Sequence, residues 1–577
     1  MHTETPGSPD CRGSLQSVYN KEMNMSANTT VERINTDVLI IGSGGAGLRA
    51  AIAATEAGVK VLVIAKEQLK DAHTGWAMGG INVAIKDPAT PQMHFDDTIN
   101  GGWYINNYKL ARIFAEEMPD RVHDLERYGV QFDRLPDGTY FTWAGGKQSA
   151  PLNLCAGDYT GREMMRGLLA EVHRLQVPFL ENHYVIRLIK QGDRVVGAYL
   201  IDNQTGQYKV VQAKATIVAT GGGGNMYKVN TNAPSNTGEG YAWALDVGAE
   251  LVDMEMVQFH PTGMAYPPEK RGTLVTEKVR GNGGILKNRL GERFMQRYQP
   301  QRLELAGRDE VARAIYQEIQ EGRGTEHGGV YLDVTHWEEG KVEKLVPDVF
   351  AEHMEVGIDI RKQMMEISHS MHHMMGGYAI TEWGETNVPG LYAAGEVTRS
   401  IHGANRLGGN SIAEGQVFGR RAGLRAADYC QNVSTPQVTQ QAIDSEVAQM
   451  EALLHKKAGV KPTDMLSSIK AVMWDNVGII RDEEKLKLAR QQLTQLRQQA
   501  QDLYAENTQQ LQASLEIQDM LRVAEVIVES ALERKESRGA HYRSDYPQMD
   551  PAWEKNIYIK QNSDGKLVTR TAPPVKE

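Results

Sequence analysis

Residues 37–65 constrain this chain more than any other stretch. Asp37-Val38-Leu39-Ile40-Ile41 is a short apolar, β-branched run. Gly42-Ser43-Gly44-Gly45-Ala46-Gly47 follows, then an Ala-rich stretch, Leu48–Glu56, Gly58, and a second apolar run, Val61–Ile64. Strand, glycine turn, helix and strand within about 30 residues make a βαβ unit, and G-x-G-x-x-G at its first turn is a dinucleotide fingerprint. Gly42 makes the tight turn, Gly44 lets the backbone approach a pyrophosphate, and Gly47 allows close helix–strand packing. The helix N-terminus adds amide donors and a partial positive charge. The acid that ends the second strand in NAD enzymes is missing: Ala65-Lys66 stands there, with Glu67 one step late. No second such turn exists, since the residues after Gly221–Gly224 do not read as helix. A single dinucleotide site favours a flavin enzyme without a nicotinamide donor.

The 577 residues allow about four units at roughly 150 residues each. Residues 1–34 read as a polar, flexible extension without a targeting signal. Residues 35–253 hold the βαβ unit, the expected strands Val185–Leu188, Val195–Leu200 and Lys209–Val211, and a further buried strand, Ala215–Ala219. At 254–355 polar loops, Pro261, Pro267 and Pro268 mark an inserted domain. Residues 356–435 return to the first domain through Gly390–Glu396 and a helix opening at Asn410-Ser411-Ile412. From 436 to 547 the chain is helical; Leu486, Ala489, Leu493, Leu496 and Leu503 form one apolar stripe. Residues 548–577 read as a polar tail.

Composition excludes several functions. Lys and Arg number 63 against 73 Asp and Glu, a net charge of −10 without a long basic run, which disfavours nucleic acid. No run of about 18 uninterrupted apolar residues exists, so no membrane span is expected. Three cysteines without CxxC spacing are too few for an iron–sulfur cluster, and no metal site is expected.

Seven motifs occur in order: Ala-His-Thr-Gly-Trp-Ala-Met-Gly-Gly at 72–80, Gln-Phe-His-Pro-Thr-Gly at 258–263, Leu-Val-Thr-Glu at 274–277, Leu-Ala-Gly-Arg-Asp at 305–309, His-His-Met-Met-Gly-Gly at 372–377, His-Gly-Ala-Asn-Arg-Leu-Gly-Gly-Asn-Ser at 402–411 and Glu-Ser-Arg-Gly-Ala-His-Tyr-Arg at 536–543. Across about 35–547 the chain resembles the flavoprotein subunit of succinate dehydrogenase and fumarate reductase. L-aspartate oxidase and adenylylsulfate reductase share parts of that fold. The resemblance implies an α/β, Rossmann-type FAD-binding domain interrupted by an α+β capping domain and followed by a C-terminal helical domain.

It also implies interconversion of succinate and fumarate through FAD. A four-carbon dicarboxylate needs cations or donors at both ends, and Arg406 can fork a carboxylate with two parallel bonds. His260, Thr276 and His372 match the remaining substrate positions; Thr262 is expected behind them, and His369 and His373 are expected to be structural. Arg308 matches the family's proton carrier, with Glu277 and Arg280 as a relay, because an isolated guanidinium is a poor acid. Read alone, Arg308 would be a surface ion pair with Asp309 or Glu310. Expected cofactor contacts are Gly42, Ser43, Gly44, Gly45, Ala46, Gly47, Lys66, Thr74, Gly79, Gly80, Glu239, Glu396, Ser411 and Ile412. His73 matches the histidine that bonds the flavin covalently, although Asp71-Ala72 replaces the usual Arg-Ser before it. Met78 stands where Gln or Glu goes with the preferred direction, so direction stays open. Implied partners are a membrane anchor and an iron–sulfur subunit, which would hold the chain on the cytoplasmic face of a membrane and pass electrons to or from quinone. L-aspartate oxidase, a soluble fumarate reductase and a non-catalytic assembly protein remain as alternatives.

Overall fold

The computed structural model describes residues 31–576 except 455 and 457. Residues 1–30 of the expected extension lie outside them, and its end is corrected: the first strand already runs Glu32–Ile41. It pairs in parallel with Tyr208–Val218 from Glu32↔Lys209 to Ile41↔Val218. Glu32, Arg33 and Asn35 lie on its more exposed half, so only the buried half, Val38–Ile41, reads as strand from sequence.

Val61–Ile64 flanks the first strand on its other side, followed by the edge strand Phe179–Leu180. Beyond Tyr208–Val218, Arg194–Asp202 and His183–Gln191 run antiparallel, and Leu391–Ala393 joins in parallel. Lys209–Val211 and Ala215–Ala219, expected as two strands, belong to the one strand Tyr208–Val218.

The Ala-rich helix Gly45–Glu56 packs on the helix Asn410–Gln431. A Cβ on Gly419 would stand 2.5 Å from the Ala46 carbonyl oxygen, and one on Gly423 2.4 Å from that of Ala50. Small residues on both helices therefore set the approach of the two backbones. Both N-termini open onto one cleft.

The capping domain is built on four antiparallel strands in the order Val257–Met264, Met365–Met374, Val330–Asp333 and Ile285–Lys287. The helix Arg308–Gln320 packs against the first of them. The expected boundary at 355 is corrected, because Met365–Met374 pairs with two cap strands. Ile367 is the only β-branched residue in that strand, Met-Glu-Ile-Ser-His-Ser-Met-His-His-Met, so composition did not mark it.

Four long helices follow, Gln440–Leu454, Pro462–Asn476, Glu483–Gln499 and Thr508–Glu533. Leu486, Ala489, Leu493 and Leu503 are buried; Leu496 packs at the margin of the same core. The expected tail is corrected too. Asn556–Gln561 and Leu567–Ala572 form a hairpin that pairs with Leu251–Val252. Its outer strand is largely solvent-exposed, so it lacks the apolar face that betrays a strand in sequence. Among the described residues no helix is long and apolar enough to cross a membrane.

Candidate functional site

The cleft runs from the first glycine turn to the capping domain, and its wall is made from both. At the turn, Gly42 has φ +114°, and a Cβ there would stand 2.2 Å from the Ala219 carbonyl oxygen. A Cβ on Gly47 would stand 2.0 Å from the Gly42 carbonyl oxygen. Only glycine fits either position, so the turn lies flush on the strand. The Gly45 N–H donates to Thr74 Oγ1 at 2.9 Å, which ties this turn to the segment carrying His73.

Lys66 occupies the far end. Its Nζ donates to Ser235 O at 3.0 Å, Thr237 Oγ1 at 2.7 Å and Glu239 Oε1 at 3.1 Å. A second carboxylate, Glu516 of the helix Thr508–Glu533, lies 2.6 Å away. Against burial, which would lower it, Glu239 and Glu516 raise the Lys66 ammonium above its ordinary range. The helical domain thus closes this end. Glu396 accepts the Met374 N–H at 3.0 Å, and burial raises its carboxyl.

At the cap end, Arg308 opens the helix Arg308–Gln320 and is buried. Its Nε donates to Glu277 Oε2 at 2.7 Å and its Nη1 to Gln258 Oε1 at 3.2 Å. The surface pairing that sequence alone favours does not form. Asp309 takes the Asn405 side-chain amide, and Glu310 takes the Gly307 N–H. Glu277 also accepts the Gly146 N–H at 2.7 Å, and Arg280 Nη2 lies 3.6 Å from Oε2. Burial would raise the Glu277 carboxyl, but Arg308, Arg280 and the Gly146 amide overturn this and hold it at about 2.

Arg406 differs. It is buried, its Nε has no hydrogen-bond partner, and among the described residues no carboxylate pairs with it. Burial pushes its guanidinium well below the ordinary range and Arg308 adds repulsion, against which Glu396 and Glu277 attract it without pairing directly. A buried cation without a counter-ion is costly, so the cleft is electrostatically incomplete without an anion. His260 and His372 stand beside it with ring centres 4.9 Å apart. Burial first, then the surrounding guanidinium groups, keeps both imidazoles neutral. The Thr262 N–H donates to His260 Nδ1 at 3.2 Å. A backbone N–H can only donate, so the His260 proton sits on Nε2, a buried donor with no partner. Thr262 therefore stands behind His260, with its Oγ1 donating to Val275 O at 2.7 Å.

Of the residues expected to act, the cleft wall brings together Gly42, Ser43, Gly44, Gly45, Ala46, Lys66, His73, Thr74, Gly79, Gly80, Glu239, His260, Thr276, Glu277, Arg308, His372, Glu396, Arg406, Ser411 and Ile412. Gly47 and Arg280 are not on that wall: Gly47 packs behind the turn, and Arg280 lies behind Glu277 with Nη1 donating to Glu304 O at 2.6 Å. Met78 is on the wall and buried. His369 stacks on Trp474 outside it. His373 is a correction, since it lines the cleft with Nδ1 3.4 Å from Glu396 Oε2. Alternation along a strand should turn it away from its neighbour His372. The register slips there, with Gln258 opposite His373 and Phe259 opposite Met371. His372 is the extra residue of a bulge, which re-aims side chains. Two further residues were missed. Thr231, whose Oγ1 lies 2.7 Å from His372 Nδ1, gave no sequence signal. Gln258 did, lying two residues before His260 and so on the same strand face.

The glycine cradle, two helix N-termini and the unpartnered donors fit a flavin dinucleotide with a small anion beside it. Among the described residues no group of three or more His, Cys, Asp or Glu could hold a metal ion.

The FAD binding domain family matches residues 37–412, and the fumarate reductase flavoprotein C-terminal family matches residues 467–576. A component of the CoM/CoB fumarate reductase of Methanothermobacter marburgensis is 43% identical over 93% of this chain and 100% of its own length. L-aspartate oxidase of Streptomyces coelicolor is 34% identical over 93% of each chain. The succinate dehydrogenase flavoprotein subunit of Rickettsia bellii is 32% identical over 93% of this chain and 95% of its own. Among solved structures, a variant FrdA chain of E. coli quinol fumarate reductase superposes with a TM-score of 0.89 at 31% identity, covering 94% of this chain and 97% of that one.

Proposed function

The chain belongs to the fumarate reductase and succinate dehydrogenase flavoprotein family, and from that premise we propose that it interconverts fumarate and succinate in this cleft. The observation that carries the reading is the pair of buried arginines: Arg406 without a counter-ion, and Arg308 held on Glu277. Arg406 forks one substrate carboxylate. His260 Nε2–H, His372 and the Thr276 hydroxyl serve the rest of the dicarboxylate. Glycines 42, 44 and 45, Glu239, Glu396, Ser411 and Ile412 would hold FAD, which supplies the hydride acceptor or donor when bound.

Arg308 carries the proton. While it is charged, its guanidinium holds Glu277 ionised; when it gives its proton up, that hold is lost and burial favours a protonated carboxyl. Glu277 Oε2 hydrogen-bonds Arg308 Nε at 2.7 Å and so can return a proton to a neutral Arg308 directly, while Arg280 Nη2, 3.6 Å away and without a hydrogen-bond partner, would have to close on it to complete the relay. Neutral His260 and His372 leave Arg308 as the acid of the cleft.

His73 bonds the flavin covalently in this reading. Its Nδ1 accepts the Ala233 N–H at 3.2 Å, which leaves Nε2 for the bond. The three cysteines are too few to ligate a cluster, so electrons pass to a separate iron–sulfur subunit, and through it and a membrane anchor to or from quinone on the cytoplasmic face. Acid precipitation of the purified chain, read beside succinate-dependent dye reduction and fumarate-dependent dye oxidation, tests the proposal. Flavin in the pellet with turnover of both dicarboxylates is expected. Free flavin with oxidation of L-aspartate would move the assignment to L-aspartate oxidase.

A further inference from the structure

The turn Gly145–Gln148 lies outside the cleft wall and has no role in the mechanism above, yet it reaches both halves of the site. Gln148 is buried, and every polar atom of its side chain is used. Its Oε1 accepts the Gly145 N–H at 2.6 Å and the Asn153 Nδ2–H at 2.9 Å. Its Nε2 donates to Asn82 Oδ1 at 2.9 Å and to Gly408 O at 3.4 Å. Asn82 donates to the same Gly408 carbonyl at 2.7 Å.

On one side this amide fixes the backbone that presents the Gly146 N–H to Glu277. The next residue, Lys147, holds φ +61° and donates its N–H to Leu305 O of the cap at 3.1 Å. A non-glycine residue in that region is strained and persists only where surrounding contacts enforce it. On the other side it fixes Gly408, two residues after Arg406. A Cβ on Gly408 would stand 2.7 Å from Glu277 Oε2 and 2.8 Å from Arg308 Nη2. The loop carrying Arg406 is therefore wedged between the Glu277–Arg308 pair and the Gln148–Asn82 amides.

The structure assigns to Gln148 the role of a positioning residue that sets the carboxylate clamp of Arg406 and the proton relay of Glu277 in register, through the Gly408 carbonyl and the Gly145–Gly146 backbone respectively. The relay half rests on the function proposed above; the Arg406 half is readable without it.

The test uses the FAD-loaded full chain with Gln148→Met, which keeps length and removes every hydrogen bond. Malonate affinity is read from flavin absorbance, and kcat from dye-linked turnover at saturating substrate. Each is expected to fall about tenfold at unchanged flavin content, the scale of a lost buried hydrogen-bond network. Glu277→Gln should cost less in the Gln148→Met background than in the parent, because coupled residues are not additive. Malonate affinity and kcat both within about twofold of the parent would overturn the assignment. If Glu277→Gln alone keeps full kcat, the relay itself is wrong, and malonate affinity alone decides: tenfold weaker keeps the role at Arg406, unchanged removes it. Should Gln148→Met not load FAD, Gln148→Glu replaces it. A protonated carboxyl keeps one donor and one acceptor, so that variant should bind malonate close to parent strength at low pH and lose affinity faster than the parent as pH rises. Parallel pH curves would overturn the assignment.

Discussion

The cap wall of the cleft and the loop that leads into the helix Asn410–Gln431 each bury an arginine, and the two have opposite surroundings. Arg308 sits 2.7 Å from the Glu277 carboxylate and hydrogen-bonds Gln258 as well. Arg406 has a free Nε and no carboxylate partner among the described residues. A paired buried guanidinium is stable alone and can exchange protons with its partner. An unpaired one is completed only by an anion from outside. Equal burial thus yields two chemistries, one wall for moving a proton and the other for holding a carboxylate. His260 and His372 come from the neighbouring cap strands Val257–Met264 and Met365–Met374.

Removing the proton wall should give the largest effect. Arg308→Ala should keep fold and flavin content and lower turnover by about 10²–10⁴-fold, the usual contribution of a general acid. Dye-linked assays in both directions, normalised to flavin, check this. Were Arg308 a surface ion pair, the same change would alter stability by about 0–1 kcal/mol and leave turnover alone.

The carboxylate wall comes next. Arg406→Lys replaces a planar fork by a point charge. Lost charge-assisted bonds should weaken malonate or succinate binding by about 1.5–3 kcal/mol, roughly 10–150-fold. Near-parent affinity would take Arg406 out of the site. His73→Ser should leave FAD bound but extractable by acid, retain part of fumarate reduction and lose most succinate oxidation. Acid-released flavin from the parent chain itself would remove the covalent bond and leave FAD binding untouched.

The smallest effect is on stability against pH. Burial depresses His260, His372, His373 and His402 below the ordinary histidine range. The unfolded chain binds protons near pH 6.5 that the folded chain refuses, so this stability is present above about 6.5 and lost as pH falls. Glu277, held at about 2, lends stability above the ordinary carboxylate range and loses it only on further acidification. Across pH 7.5 to 5.5 the histidines lower the unfolding midpoint, while Glu414, raised by burial to about 8, and Glu352, raised to about 7, hold protons in the folded chain and work the other way. The histidine share is therefore read from His402→Gln, whose midpoint should fall less, or rise more, than the parent's between pH 7.5 and 5.5; an identical pH dependence in the two would mean that the His402 imidazole takes up protons in the folded chain.

The glycine turn was legible because backbone clashes leave no other residue at Gly42 and Gly47, and such positions survive in any reading of spacing. The two arginines were legible only through their motifs. Nothing local separates Arg308 from the acids that follow it, and the contact that defines it, Glu277, lies 31 residues away. His373 escaped because a bulge cancels the alternation on which strand faces are assigned. Met365–Met374 escaped because its residues favour no particular structure. Glu32 and the strand Leu567–Ala572 escaped because exposed residues resemble loop. In each case the missing information was tertiary pairing.

The division between the two walls is tested most directly by titrating malonate into the FAD-loaded Arg308→Ala chain and following flavin absorbance beside Arg406→Lys. Arg308→Ala should bind within about threefold of the parent although its turnover has collapsed, since a group needed only for proton transfer lowers kcat and not binding. Malonate binding weakened as much in Arg308→Ala as in Arg406→Lys would show that both arginines hold the carboxylate, and would contradict the separation of roles.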